Sequence, residues 1–109
     1  MTDRKASIER KTKETDIQVT VDLEGGNTSI ETGIPFFTHM LEQLAKHSGI
    51  GLLVKSVGDL EVDAHHTVED VGISIGEAFN AALGNKIGIR RFSSVSVPLD
   101  EALIDVALD

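Results

Sequence analysis

The chain contains no cysteine, tryptophan or tyrosine, only 2 prolines, and 10 basic residues against 18 acidic ones. Each shortage excludes something. Without cysteine there is no disulfide framework, no thiolate zinc site and no cysteine nucleophile. With 4 phenylalanines as its whole aromatic complement, the chain offers no platform for stacked bases. A formal net charge of −8 opposes nonspecific nucleic-acid binding, which needs a basic surface to displace counterions. The same charge disfavours an anionic membrane surface. Long apolar runs are missing too: the longest, at 50–54 with Gly51 inside it, is far too short to span a bilayer. Segment 1–14 is dense in Arg, Lys and Glu and lacks the apolar core of a signal peptide. The expectation is a cytoplasmic protein with no nucleic-acid or membrane partner.

What is present is ordinary for a globular domain. A length of 109 residues, 26% charged and 40% hydrophobic, supports one folded unit with a core rather than a disordered tail. The unusual feature is placement. All four histidines, His39, His47, His65 and His66, fall within one short stretch.

Hydrophobic periodicity outlines the fold. At 16–24, Ile17, Val19, Val21 and Leu23 alternate with polar residues, the pattern of a strand with one buried face. Gly25, Gly26 and Asn27 tolerate positive φ and predict a hairpin turn into a return strand at 28–32. After Gly33 and Pro35 the period becomes helical: Phe36, Phe37, Met40, Leu41, Leu44 and Ala45 form one apolar stripe, ending at Gly49. Residues 50–56 predict an inner strand and 58–64 another. Thr67 and Asp70 have the spacing of an N-cap and its N3 partner. They would open a helix with Val68, Val71, Ile75, Ala78, Phe79 and Ala82 on one face, stopping near Gly84. Val95, Val97 and Leu99, then Ala102, Ile104, Val106 and Leu108, predict two final strands.

The expected order is therefore β-β-α-β-β-α followed by a β-hairpin. This is an α+β fold, with helices packed on one face of a four-stranded, mostly antiparallel sheet. A last strand that runs into Asp109 in mid-pattern leaves an edge needing cover.

The strongest chemical constellation is His65-His66-Thr67-Val68-Glu69. Two imidazoles and a carboxylate at this spacing can gather on one side of a helix start, and such donors suit Mn2+, Fe2+ or Zn2+. Asp63 and Asp70 flank the group and are placed to orient the ring N–H groups. The alternative is a polar helix terminus, with both histidines merely exposed and Glu69 answering the helix dipole. His39, Gln43 and His47 recur every four residues as a separate polar stripe, from which His39 or His47 could complete a metal shell. Lys86, Arg90 and Arg91, set among Gly84 and Gly88, form either an anion pocket or a solvated turn. Their spacing is not that of a P-loop. Glu14 is an isolated candidate acid or base, or else a solvated charge at a strand edge. No nucleophile elbow, kinase set or dinucleotide fingerprint is present.

Together these segments closely resemble the imidazoleglycerol-phosphate dehydratase family. The resemblance rests on Arg10-Lys11-Thr12-Lys13-Glu14-Thr15, Thr32-Gly33-Ile34-Pro35-Phe36, His39-Met40-Leu41, Gly58-Asp59-Leu60, His65-His66-Thr67-Val68-Glu69-Asp70, Gly88-Ile89-Arg90-Arg91-Phe92 and Pro98-Leu99-Asp100-Glu101-Ala102-Leu103. It implies a hydro-lyase of L-histidine biosynthesis that dehydrates imidazole glycerol phosphate to imidazole acetol phosphate. It also implies two Mn2+ per site and a homo-oligomeric shell, commonly of 24 subunits. The fold implied is that of a ribosomal protein S5 domain 2-like half-domain.

By position, the resemblance makes His39, His47, His65, His66 and Glu69 metal ligands. Glu14, His66 and Glu69 would be catalytic. Glu14, His39, His47, His65 and Arg91 would contact the substrate, a small-molecule phosphate, with Arg91 at the phosphate. The family is about twice this length and is built of two similar halves. Residues 1–88 are thus expected to be the first half-domain, and 89–109 the opening hairpin of a second, truncated one. The chain alone is then expected to be inactive. The alternative is a truncated or engineered half-domain that binds divalent metal and self-assembles without catalysis. Thr38, Gly51 and Ser93 depart from the family, which usually has Asp, Asp and Gly there. The first of these puts the support of His39 in question.

Overall fold

The computed structural model describes residues 3–109; Met1 and Thr2, which begin the charged N-terminal segment, lie outside the described residues. The elements in chain order are β1 (Lys5–Lys11), β2 (Thr15–Asp22), β3 (Thr28–Glu31), α1 (Pro35–Ser48), β4 (Gly51–Gly58), α2 (His65–Leu83), β5 (Ser93–Leu99) and β6 (Ala102–Leu108). The first four strands form one sheet in the order β1-β2-β4-β3, and β5 and β6 form a separate two-stranded sheet. The pairs β1/β2 and β2/β4 are antiparallel, whereas β3/β4 is parallel. The expected layer of helices over a mostly antiparallel four-stranded sheet is present, with the element order β-β-β-α-β-α-β-β.

Three local expectations change. The strand β1 lies within the segment read as merely charged. Its inward positions are Ala6, Ile8 and Arg10, so only one carries a large apolar side chain and the alternation is faint in the sequence. An edge strand tolerates this, because a long Arg side chain covers apolar surface with its stem while its head finds polar partners. Second, β2 and β3 do not form a hairpin. Strand β4 lies between them, reached from β3 through α1, the long crossover that a parallel pair requires. Third, 58–64 is not a strand. Strand β4 pairs with β2 as far as Gly58 opposite Thr15, where β2 begins. Beyond that point no ladder remains, and the chain turns, with the Val62 N–H donating to the Asp59 carbonyl at 2.9 Å.

The core lies between the sheet and the helices: Ile17, Val19 and Val21 from β2, Leu52 and Val54 from β4, Leu41 and Ala45 from α1, and Val71 and Ala78 from α2. The inward alternation expected for β2 therefore holds. The stripe on α1 divides. Leu41 and Ala45 face the core, while Phe36 is 71% exposed and Met40 and Leu44 are exposed with it. Pro35 occupies the first turn of α1, and Gly49 ends it in the left-handed conformation (φ 76°), its N–H donating to the Ala45 carbonyl; only glycine adopts this φ without strain.

Candidate functional site

Helix α2 begins at His65, earlier than the Thr67 cap predicted from spacing. Ala64 is the N-cap residue and supplies no side-chain bond. Asp63 performs the satisfying role instead, its Oδ1 accepting the His65 N–H at 2.7 Å. Thr67 is fully buried in the first turn because α2 is pressed onto the end of β4. A Cβ built on Gly58 would stand 2.0 Å from Thr67 Oγ1, so the contact exists only because residue 58 has no side chain. Asp70 is likewise buried and turned toward the sheet.

This start separates the two histidines. His65 Nε2 lies 2.9 Å from Glu69 Oε2, one helical turn on. His66 turns the other way, its Nδ1 2.7 Å from Asp59 Oδ2. The two rings meet edge to face at 83°. The spacing His65-His66-x-x-Glu69 thus joins one histidine to the carboxylate rather than both. Nor do Asp63 and Asp70 orient the rings as expected. Asp63 is engaged with backbone and Asp70 with Arg10 and Thr15, which leaves Asp59 at the His66 ring. The Asp59 hydrogen bond holds His66 above the ordinary imidazole pKa against partial desolvation, with smaller help from the charges of Asp59, Glu14 and Asp63.

Glu14 sits in the tight turn joining β1 to β2. Thr12 organises this turn: its Oγ1 accepts the N–H groups of Glu14 and Thr15, each at 3.1 Å. The turn is tied to α2, since the Thr15 hydroxyl donates to Asp70 Oδ2 at 2.5 Å while Arg10 Nε lies 3.2 Å from Asp70 Oδ1. These donors hold the Asp70 carboxyl below its ordinary pKa, the Thr15 bond most of all. Glu14, Gly58 and Asp59 line one shallow concavity of about 320 Å³, so Glu14 and the carboxylate that holds His66 share a surface.

The remaining candidates lie apart. His39 is exposed on α1. His47 Nε2 meets Gln43 Oε1 at 3.2 Å, as their spacing suggested. Among the described residues, no three His, Asp or Glu side chains converge closely enough to hold a metal ion. Lys86, Arg90 and Arg91 do gather, around an open groove of about 750 Å³ that Phe79, Leu83 and Leu108 also line. Arg91 there pairs with Asp109, Nε to Oδ1 at 2.8 Å.

Residues 32–109 match the family model described as imidazoleglycerol-phosphate dehydratase. The chain belongs to this family. It is 59% identical to the imidazoleglycerol-phosphate dehydratase of Microcystis aeruginosa, over 97% of this chain and 51% of the relative. It is 61% identical to that of Rhodopseudomonas palustris strain TIE-1, over 97% and 54%. Among solved structures it is similar to the Staphylococcus aureus dehydratase, with a TM-score of 0.80, 28% identity and coverage of 94% of this chain and 56% of that one. The Pyrococcus furiosus dehydratase gives a TM-score of 0.78 at 35% identity, covering 92% and 52%. The chain spans about half the length of the curated relatives it matches.

Family membership bears on the departures. Thr38, where the family usually has Asp, shares a 2.8 Å hydrogen bond with Thr32 and so serves the start of α1 rather than His39. Gly51 faces the backbone of Gly26, which a Cβ there would meet at 3.0 Å. Asp59 is a site residue that the sequence pattern conceals: alternation at 58–64 predicts a strand, which would set Asp59 on a sheet face rather than beneath His66. No helix among the described residues is long and apolar enough to cross a membrane.

Proposed function

We propose that this chain supplies one part of the active site of a dehydratase that converts imidazole glycerol phosphate to imidazole acetol phosphate in histidine biosynthesis. Overall, a carbon-bound proton and a hydroxyl group leave as water, and the resulting enol becomes the ketone. The observation that carries the reading is the start of α2, where His65 is paired with Glu69, and His66, held by Asp59, keeps Nε2 free, in a chain of this family.

The donor set fits a divalent metal. It consists of imidazole nitrogen and carboxylate oxygen, the ligands of borderline-to-hard ions such as Mn2+, and one imidazole has its second nitrogen engaged by a carboxylate, as ligating histidines do. His65, His66 and Glu69 would hold the metal, with His39 and His47 as further donors to it or to the substrate. When bound, Mn2+ would stabilise negative charge developing on the substrate's imidazole ring. Glu14 would move a proton at the reacting carbon or the departing hydroxyl. Arg91 would grip the phosphate, with Lys86 and Arg90 adding positive charge beside it.

Because no three donors converge among the described residues, the same observation favours a second reading for the chain by itself. It would bind divalent metal and assemble into a homo-oligomer without turnover, the shells being completed by groups from outside it. An assay with Mn2+ and imidazole glycerol phosphate separates the two. An active protein built on this chain should lose product formation in His66→Ala, and unaltered activity there would overturn the metal assignment. Metal binding with no product from the chain alone would support the second reading.

A further inference from the structure

We propose that Asp59 is the positioning residue of His66, fixing the ring in the tautomer that carries its proton on Nδ1 and presents a bare Nε2. The inference deepens the functional reading above and rests on it for the use to which that nitrogen is put. The geometry is local and complete. Asp59 Oδ2 lies 2.7 Å from His66 Nδ1, and the Asp59 side chain is only 15% exposed. Its other oxygen, Oδ1, is buried and has no hydrogen-bond partner among the described residues. A carboxylate left half satisfied out of solvent is costly, so it is the fold that holds it there.

The fold does so at two points. Gly58 lets the end of β4 abut Thr67, in a space no Cβ could share. The Asp59 carbonyl then accepts the Val62 N–H, closing the turn that returns the chain to α2. Both contacts set the Asp59 backbone against the first turn of α2, where His66 stands. Of the other nearby carboxylates, Asp63 is spent on the His65 N–H, Asp70 on Thr15 and Arg10, and Glu69 on His65; Glu14 acts on His66 through its charge without a hydrogen bond to the ring. A carboxylate at Nδ1 can only accept, so a neutral ring must place its single proton there and leave the Nε2 lone pair free. That lone pair is what a metal, or a proton in transit, requires.

The test is long-range proton–nitrogen NMR correlation on the 15N-labelled chain at about pH 8.5, well above the ordinary imidazole pKa of about 6.5. His66 is expected to show protonated Nδ1 and bare Nε2. A neutral His66 ring with its proton on Nε2 in the unsubstituted chain would overturn the proposal. In Asp59→Ala the Nδ1–H preference should be lost while His47 stays unmoved; an unchanged His66 would overturn it. Asp59→Asn keeps one acceptor oxygen and should restore the preference in part. Should Asp59→Ala fail to fold, the unsubstituted chain and the Asn variant still decide. Mn2+ alone, added to the same samples, reads the underlying function separately. It should broaden His66, with affinity falling about 10- to 100-fold in Asp59→Ala. A chain with the expected tautomer that ignores Mn2+ supports the role of Asp59 and overturns the reading in which this chain binds the metal by itself.

Discussion

Arg10 and Asp70 are 60 positions apart in the sequence, yet Arg10 Nε lies 3.2 Å from Asp70 Oδ1 between β1 and α2. The same carboxylate takes the Thr15 hydroxyl on its other oxygen. One buried side chain thus joins the edge strand, the start of β2 and the helix that carries both site histidines. Because Glu14 immediately precedes Thr15, this junction also anchors the turn that presents Glu14.

Removing the carboxylate should therefore loosen three elements together. Asp70→Ala strands a buried hydroxyl and a half-buried guanidinium, and should cost about 1–3 kcal/mol. Thr15→Val should cost less, on the order of 1 kcal/mol, whereas Thr15→Ser keeps the donor and loses only a buried methyl group, about 0.8 kcal/mol. Urea unfolding monitored by circular dichroism measures all three. An acid sensitivity of unfolding in Thr15→Val equal to that of Thr15→Ser would deny the hydroxyl its role at Asp70.

The same carboxylate makes stability depend on pH. Its pKa is lowered in the folded chain, so folding favours the ionised form. The stabilisation is complete above the unfolded carboxyl value of about 3.9 and is lost as pH falls through the lower folded value. Unfolding midpoints taken from pH 6 downward should decline more steeply for the unsubstituted chain than for Asp70→Asn, whose residue 70 does not titrate. Parallel declines would place the acid sensitivity in other carboxylates.

Much of this architecture was legible in advance, and the failures share a cause. Ile17, Val19 and Val21 declared their strand because one buried face demands period two, and Gly49 declared the end of α1. Strand β1 was hidden because an edge strand with Arg10 facing inward has too little apolar pattern to register. Residues 58–64 alternate like a strand, but pairing is a property of the neighbour, and β2 begins at Thr15. The site shows the same division. The spacing of His65 and Glu69 predicted their contact, whereas the Asp59–His66 pair depends on a turn whose geometry comes from Gly58 meeting Thr67. That contact spans two elements and leaves no local signature.

Gly58 should accordingly be intolerant of the smallest side chain. A Cβ would fall 2.0 Å from Thr67 Oγ1 and 3.4 Å from a Thr15 methyl, so β4 and α2 would have to separate. Gly58→Ala is expected to cost about 1–3 kcal/mol, as overpacking does, and to weaken the Asp59–His66 bond. Adding Thr67→Ala removes the colliding hydroxyl and should recover part of the loss. A crystal structure of Gly58→Ala with the Asp59–His66 distance unchanged would refute the coupling.

The hairpin of β5 and β6 makes the last prediction. Its register sets Val95 opposite Val106 and Val97 opposite Ile104, and residues opposed in an antiparallel pair share a face. Leu99 and Leu108 lie on that face too, and these six side chains are 43–75% exposed. The other face is mixed, carrying Ser94, Ser96 and Asp105 beside Pro98, Leu103 and Ala107. A two-stranded sheet alone is marginal in water, and a contiguous apolar surface of this kind marks an interface. In a protein of the relatives' full length the remainder of the second half would cover this face; for the chain by itself, with the homo-oligomeric assembly we propose, a second copy is the expected cover. Light scattering should then show a mass that rises with concentration and falls toward 11.7 kDa in the double variant Val97→Lys, Ile104→Glu. This pair places opposite charges across the strands and so preserves the hairpin while abolishing its apolar centre. If the substituted chain keeps the parent mass at every concentration, assembly proceeds through another surface, and the exposed stripe of Phe36, Met40 and Leu44 on α1 becomes the place to substitute next.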